Sequence, residues 1–494
     1  MRRRVTDLKE GYRQNLAILG SLNVGKSTVL QRFLLDMDDS LIIPVYLDLE
    51  NRDVHYFSSK MLRSILYHFC MIKGLPTCDE LPSLLETVKP VLPLTFERAV
   101  ALNALIEKGK FADAYQGLIE FPEIFTQETG LFCVLIFDEF QTMEEFGIPD
   151  VFRRLADRIT TQKNCLYILA SSYEEQARKI LSEKLTLLFG NFELVTIEPF
   201  DLRASQGFIV SRMGEVKMGV QLRNFLADFT GGRPLYLDII VQELINLSAI
   251  YKQQEIYTPL VVQAIENMVF SRWGALSRHF DLVLNRLCVG KTNRLVMDLI
   301  IALVNGTHKV KDLVKILGAK QNPIIQRLNY LVDEDIVERN GSHFHIKDKL
   351  MRYWVKYVFE RRIRSIEMEP GRLKKEFKDE LTRSVGEFQV VCRKDLVSRM
   401  TELMYCFDNE QFSLRGRSYK LPVFRDIKLL KMRQRGGHLI DVLHAETDEG
   451  VWLVVLRKEP VMESDISALG EEARKMGLKI RPFRSACGSG MSQS

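Results

Sequence analysis

The sequence predicts an α/β protein that begins with a parallel sheet and a phosphate-cradling loop, and three observations predict it. Residues Gly20 to Thr28 read GSLNVGKST, set between the apolar run NLAILG and the helical pattern TVLQRFLLDM. The apolar run Leu131 to Phe137 ends in two carboxylates, Asp138 and Glu139. From Asn293 onward, three short helical patterns precede IVERNGSHFHI, which has the alternation of a hairpin around an Asn-Gly turn.

The loop is a glycine, four residues, then Gly-Lys-Ser. Gly20 and Gly25 let the backbone turn its N–H groups inward, with Ser21, Asn23, Val24 and Thr28 completing the cradle. The helix that follows adds its positive N-terminal end, so the expected guest is an anionic phosphate of ATP or GTP. Lys26 is expected to reach the outer phosphates as a point charge, and the Ser27 hydroxyl to help coordinate Mg2+. A chance glycine-rich turn is the bland alternative, and the strand-loop-helix context argues against it.

At 494 residues the chain is long enough for two to four domains, and 46% hydrophobic with 27% charged residues is an ordinary soluble composition. A net charge of +5 permits nucleic-acid contact without demanding it. The eight cysteines lack paired spacing and the eight histidines are scattered, which argues against metal clusters and for reduced thiols in a cytoplasmic setting. The start, MRRRVTDLKEGYRQ, has no apolar segment behind its basic residues, and no uncharged stretch approaches a bilayer span, so no membrane is expected.

In order after the loop, LIIPVYLDLEN reads as a second strand, and about His55 to Gly130 reads as a helical insertion. LFCVLIFDEFQTM places Asp138 and Glu139 at the tip of a buried strand, where ligands of open α/β sheets gather. Asp138 is expected to hold magnesium through water, and Glu139 to orient a water for hydrolysis of the terminal phosphate. NCLYILASS reads as a fourth strand and FELVTIEPF as a fifth. Ser171 or Ser172 either bonds the terminal phosphate or serves tight packing at the strand end. From Asp201 the pattern is helical, with TGGRPLYLDIIVQEL opening an amphipathic helix.

The loop, the DEFQ strand, the ASS strand end, the EPFDL turn and TGGRPLYL occur in an order that resembles the archaeal-type ATPases of the STAND class, relatives of the AAA+ and origin-recognition ATPases. The resemblance covers roughly Asn15 to Met268. It implies a P-loop ATPase core with a helical lid, and ATP rather than GTP, because the lid turn places Gly232 and Pro234 against the adenine side. The family often carries Gly-Arg just before the fifth strand, where this chain has Gly190-Asn191, so slow hydrolysis is expected. Arg233 either partly substitutes for that arginine or faces solvent.

The segment from about Asn293 to Lys347 reads as a winged helix-turn-helix, and HIKDKLMRYWVKYVF resembles the same family's segment after the wing. A helix over Gln321 to Tyr330 would offer Gln321, Asn322, Gln326, Arg327 and Asn329 to a DNA major groove, or lie on the protein surface. The charge-dense run Arg361 to Arg383 reads as a solvated helical linker or a phosphate-contacting arm.

Beyond it, VGEFQVVCRKDLVSRM and GHLIDVLHAETDEGVWLVVLRKE resemble the PD-(D/E)xK nuclease-like domain that follows the winged helix in many of these ATPases. Asp441 and Lys458 stand at corresponding places, while Leu456 and Gln389 replace two expected acids. The resemblance therefore implies a degenerate, non-cutting module. The expected domains are an ATPase core over 1–200, a lid over 201–285, a winged helix over 286–364, the nuclease-like module over 365–484 and a disordered polar tail over 485–494.

Taken together, these readings lead to an ATP- and Mg2+-dependent switch with slow turnover, in which Lys26, Glu139 and Ser172 act on the nucleotide. The alternative is a DNA-binding or DNA-processing ATPase. The candidate partners are double-stranded DNA through the winged helix, and a protein partner or a second copy of the chain.

Overall fold

Runs of branched and aromatic residues alternate with amphipathic helices through the first 199 residues, and this alternation builds a three-layer sandwich. The structure, a computed structural model, describes residues 1–50, 53–185, 192–288, 293–364, 370–407, 411–414, 417–433, 439–448 and 450–456, with a few positions between 467 and 474. The chain forms two compact units, Met1–Pro199 with Asn329–Ile336, and Phe200–Leu328 with the remainder.

In the first unit α1 (Arg2–Lys9) leads to β1 (Asn15–Leu19), α2 (Lys26–Leu35) and β2 (Ile42–Asp48). The helical insertion follows as α3 (Val54–Lys73), α4 (Leu81–Val88), α5 (Pro93–Glu107) and α6 (Phe111–Thr129). Then come β3 (Phe132–Asp138), α7 (Val151–Thr161), β4 (Cys165–Ser171), α8 (Glu174–Lys179) and β5 (Phe192–Thr196). The five strands are all parallel, in the order β2-β3-β4-β1-β5.

Side chains alternate between the two faces, as the strand period requires. Leu16, Ile18, Ile136 and Ile168 pack with Val5, Leu8, Leu30 and Phe33 from α1 and α2. Val45, Leu47, Leu135, Phe137 and Leu169 pack on the other face with Phe57, Phe69, Tyr115, Phe125 and Phe152 from the insertion and α7. Both faces are covered, which is why the strands read as near-continuous apolar runs. The connections leaving β1 and β4 run in opposite directions along the sheet, and such a switch opens a crevice outside the carboxyl ends.

The second unit begins with α9 (Leu202–Met213), capped by the Asp201 carboxylate accepting from the Ala204 N–H. A short parallel pair, β6 (Lys217–Met218) and β7 (Glu255–Ile256), brackets α10 (Val220–Phe229) and α11 (Pro234–Tyr251). After α12 (Thr258–Ile265) the chain makes a wide helical turn over Glu266–Phe270 and enters α13 (Ala275–Leu287). Next are α14 (Asn293–Val304), α15 (Val310–Leu317), α16 (Gln321–Asp333), whose residues from Asn329 are grouped with the first unit, and an antiparallel hairpin, β8 (Val337–Asn340) with β9 (His343–Ile346). Asn340 pairs with His343, so the hairpin turns at Gly341-Ser342 and not at Asn340-Gly341. Gly341 supplies the positive φ of 62° at the first central position.

From Lys349 the chain is helical through α17 (Lys349–Trp354), a wide turn and α18 (Glu360–Arg364), and α19 (Pro370–Arg393) follows. The reading of Arg361 to Arg383 as a solvated helical linker is corrected for the part from Pro370 onward, residues 365–369 lying outside the described residues. Phe377, Leu381 and Val385, spaced at helical intervals among the charges, are buried. Phe377 meets Phe270 and Tyr353, and Phe388 meets Phe225. Lys374 and Lys378 both pair with Glu266, at 2.5 and 2.7 Å.

The last described elements are α20 (Leu396–Tyr405), the pair β10 (Gln411–Leu414) and β11 (Arg417–Lys420), and an antiparallel sheet of β12 (Phe424–Arg433), β13 (Leu439–Thr447) and β14 (Gly450–Leu456). Among the described residues seven cysteines are free, and no helix is long and apolar enough to cross a membrane. The polar tail, Lys458 and Gly190-Asn191 lie outside the described residues.

Candidate functional site

The GSLNVGKST loop leaves the carboxyl end of β1 and enters α2, and its two glycines are required for different reasons. A side chain at Gly20 would bring its Cβ within 2.3 Å of the Ile197 carbonyl oxygen, where the Ile197 N–H also bonds Leu19. Gly25 sits at φ 97° as the residue before α2, a left-handed conformation that penalises any side chain. Asn23 is also left-handed at φ 67°, which asparagine tolerates better than most residues. Ser21 and Val24 are buried, while Ser27 and Thr28 are exposed on the first turn of α2.

Lys26 is 4% exposed, and its Nζ donates to the Gly20 and Ser21 carbonyls at 2.8 and 3.1 Å. Burial pushes its ammonium below the ordinary lysine value, opposed by the carboxylates of Glu139 and Asp138. Ser27 Oγ donates to Asp138 Oδ2 at 2.9 Å. The same oxygen accepts from the Tyr46 hydroxyl at 2.7 Å, and Asp138 Oδ1 accepts from the Glu139 N–H at 3.2 Å. Sequence reasoning gave Tyr46 no part in the site.

Glu139 follows β3 in a left-handed conformation, φ 54°, and is 9% exposed. Its Oε2 accepts from the Ser172 N–H at 2.8 Å and from Gln141 Nε2 at 3.0 Å, and its Oε1 accepts from Ser172 Oγ. Burial raises the Glu139 carboxyl above the ordinary glutamate value, and the two Ser172 bonds oppose that rise. Ser171 is turned elsewhere, its Oγ accepting from the Tyr173 N–H at 3.0 Å. Of the two serines, Ser172 is therefore the one that faces the acid. Gln141 is 2% exposed, and its Oε1 is a buried oxygen without a hydrogen-bond partner.

The structure thus brings Lys26, Ser27, Asp138, Glu139 and Ser172 together at the carboxyl ends of β1, β3 and β4. The donor set fits the groups the sequence implies. Ser27 and Asp138 offer hard oxygens suited to Mg2+, and Lys26 and the start of α2 supply positive charge beside them. No group of three or more His, Cys, Asp or Glu suited to a metal occurs among the described residues, so Ser27 and Asp138 would need phosphate or water oxygens to complete a Mg2+ shell.

Gly232 and Pro234 belong to the second unit. A Cβ on Gly232, at φ 68°, would lie 2.0 Å from the Phe200 carbonyl oxygen, so close packing with the EPF turn alone explains this glycine. Pro234 takes the first position of α11, where its missing N–H costs nothing. Arg233 does not face solvent. It is 7% exposed and pairs with Asp348 at 3.0 Å, an oxygen that also accepts from the Tyr236 hydroxyl at 2.7 Å. In the C-terminal sheet Asp441 stands directly opposite Leu456, a buried apolar residue that offers nothing to a cation.

No family model and no curated protein matches the sequence. Among solved structures, the Walker-type ATPase PABY2304 of Pyrococcus abyssi is similar at a TM-score of 0.48 and 16% identity, covering 72% of this chain and 93% of that one. The Aeropyrum pernix ORC2 protein in its ADPNP–ADP complexes is similar at 0.43 and 14% identity, covering 78% and 92%. The Aeropyrum pernix ORC1 protein in complex with DNA is similar at 0.39 and 12%, covering 71% and 88%. At such identities and scores these are distant likenesses that assign nothing to this chain.

Proposed function

We propose that this chain binds ATP with Mg2+ and acts as a switch with slow hydrolysis, its nucleotide state biasing the helical and hairpin segments of the second unit. The observation that carries the reading is the Ser27–Asp138 bond, which gathers the loop, Lys26 and Glu139 at the carboxyl end of the parallel sheet. In this reading the backbone from Gly20 to Thr28 receives the phosphates, with Ser21, Asn23, Val24 and Gly25 contributing N–H groups and Lys26 a charge. Ser27 and Asp138 hold the cation, which when bound offsets charge on the phosphate oxygens.

Glu139 orients the water for hydrolysis and Ser172 steadies Glu139. Slow turnover is supported by the three donors that occupy the Glu139 carboxylate and by the burial that favours its neutral form. A cytoplasmic setting belongs to the same reading, supported by the free cysteines.

A second reading, duplex DNA binding through a winged helix, is favoured by one face of α16. Gln321, Asn322, Gln326 and Asn329 are exposed there, while Ile324, Leu328 and Leu331 are buried. The experiment is ATP binding and turnover by wild type and Glu139→Gln, with and without duplex DNA at several salt concentrations. The switch reading expects tight binding, slow turnover and loss of that turnover in the variant. DNA-stimulated turnover with salt-sensitive duplex affinity would favour the second reading instead. A wild type that does not bind ATP would overturn both.

A further inference from the structure

Tyr46 lies on β2, opposite Ile136 of β3, and Asp48 lies opposite Asp138. Along paired parallel strands this register puts Tyr46 and Asp138 on one face, two positions apart, within reach of a long side chain. The Tyr46 hydroxyl reaches Asp138 Oδ2 at 2.7 Å, the oxygen that also accepts from Ser27. Its ring packs beside the cluster of Ile18, Ile136 and Ile168, which restrains where the hydroxyl can go.

Three donors therefore fix the Asp138 carboxylate: Ser27 Oγ and Tyr46 on Oδ2, and the Glu139 N–H on Oδ1. Asp48, the residue opposite, is a second carboxylate at the same strand ends. Asp138 must keep one orientation beside that like charge if it is to serve a cation. Ser27 alone is a short, exposed side chain on the next element. The half-buried phenol, its ring packed beside the apolar cluster, is the stiffer of the two side-chain donors.

We infer that Tyr46 is a positioning residue for the divalent-cation site, holding the Asp138 carboxylate in the orientation that cation binding uses. The inference rests on the nucleotide reading above and goes beyond it, because neither the loop nor the DEFQ strand contains this residue. A hydrogen-bonded partner behind a cation ligand typically controls affinity by about 10- to 100-fold, and one of three donors belongs at the low end.

The test is a Mg2+ titration of the binding of a fluorescent ATP analogue to the full chain, for wild type, Tyr46→Phe, Asp138→Asn and the double variant. Tyr46→Phe is expected to raise the Mg2+ midpoint about 10-fold and to leave affinity in EDTA unchanged. In the Asp138→Asn background the second change is expected to add nothing, since the oxygen it orients is no longer a carboxylate. A Tyr46→Phe midpoint within about twofold of wild type, or a shift that persists beside Asp138→Asn, overturns the role of Tyr46. Nucleotide affinity of wild type that is the same in Mg2+ and EDTA overturns the cation assignment itself, and the inference with it. Should Tyr46→Phe fail to fold, 3-fluorotyrosine at position 46 decides: it packs alike, donates more strongly and is expected to lower the midpoint. An unchanged midpoint in that protein overturns the inference.

Discussion

Ser27 Oγ donates to Asp138 Oδ2 at 2.9 Å, a bond between residues 111 positions apart that ties the first turn of α2 to the carboxyl tip of β3. Because Ser27 is exposed and Asp138 keeps its bond from Tyr46, removing the hydroxyl should cost little stability, roughly 0.5–1.5 kcal/mol. Its larger effect should fall on the cation. Ser27→Ala is expected to lose most of the Mg2+-dependent part of nucleotide affinity, read by titrating nucleotide in Mg2+ and in EDTA. Equal losses in both conditions would contradict that division.

Glu139 sets a pH dependence of stability. Its folded value lies above the ordinary glutamate value, so the folded state holds the extra proton in the interval between the two. Stability should therefore fall as pH rises through that interval and level off above it. Glu139→Gln removes the titration, so its melting temperature should fall less than that of wild type from about pH 4.5 upward. Parallel melting curves for the two proteins across that range would count against the buried-acid account.

Two glycines are predicted to be irreplaceable for packing alone. Gly20→Ala drives a Cβ onto the Ile197 carbonyl and Gly232→Ala onto the Phe200 carbonyl, backbone atoms that cannot swing aside. Each should cost about 1–3 kcal/mol, seen as a melting temperature lower by a few degrees. Gly207 and Gly219, with open space where a Cβ would go, are the controls and should tolerate alanine.

Glu266 anchors α19 through Lys374 and Lys378. The acid is buried while both lysines are half exposed, so screening reduces what the pairs contribute. Glu266→Ala is expected to destabilise by about 1–2 kcal/mol at low salt and to open α19 to limited proteolysis. A proteolysis pattern unchanged from wild type would remove Glu266 as the anchor.

The sheet was legible where its signals are contiguous: the loop between an apolar run and a helix, and the acids closing the third strand. Tyr46 was not legible, because alternation places it on a face but says nothing of which strand lies beside it. Gln141 stood inside the DEFQ motif without a role until the turn after β3 brought its amide to Glu139. In α19 the dense charges masked Phe377, Leu381 and Val385, so a packed helix read as solvated. The solvent-facing alternative for Arg233 failed because its partner, Asp348, is over a hundred residues away in sequence. The hairpin turn moved one residue because the Gly341-Ser342 pair satisfies a two-residue turn as well as Asn340-Gly341 does.

The central claim is tested most directly by calorimetric titration of ATP with Mg2+ into wild type and Lys26→Ala. The account predicts saturable one-site binding to wild type. It predicts affinity at least about 10-fold weaker in the variant, the effect of removing one charge-assisted contact to phosphate. Absence of binding to wild type, or equal affinity in the two proteins, would contradict it.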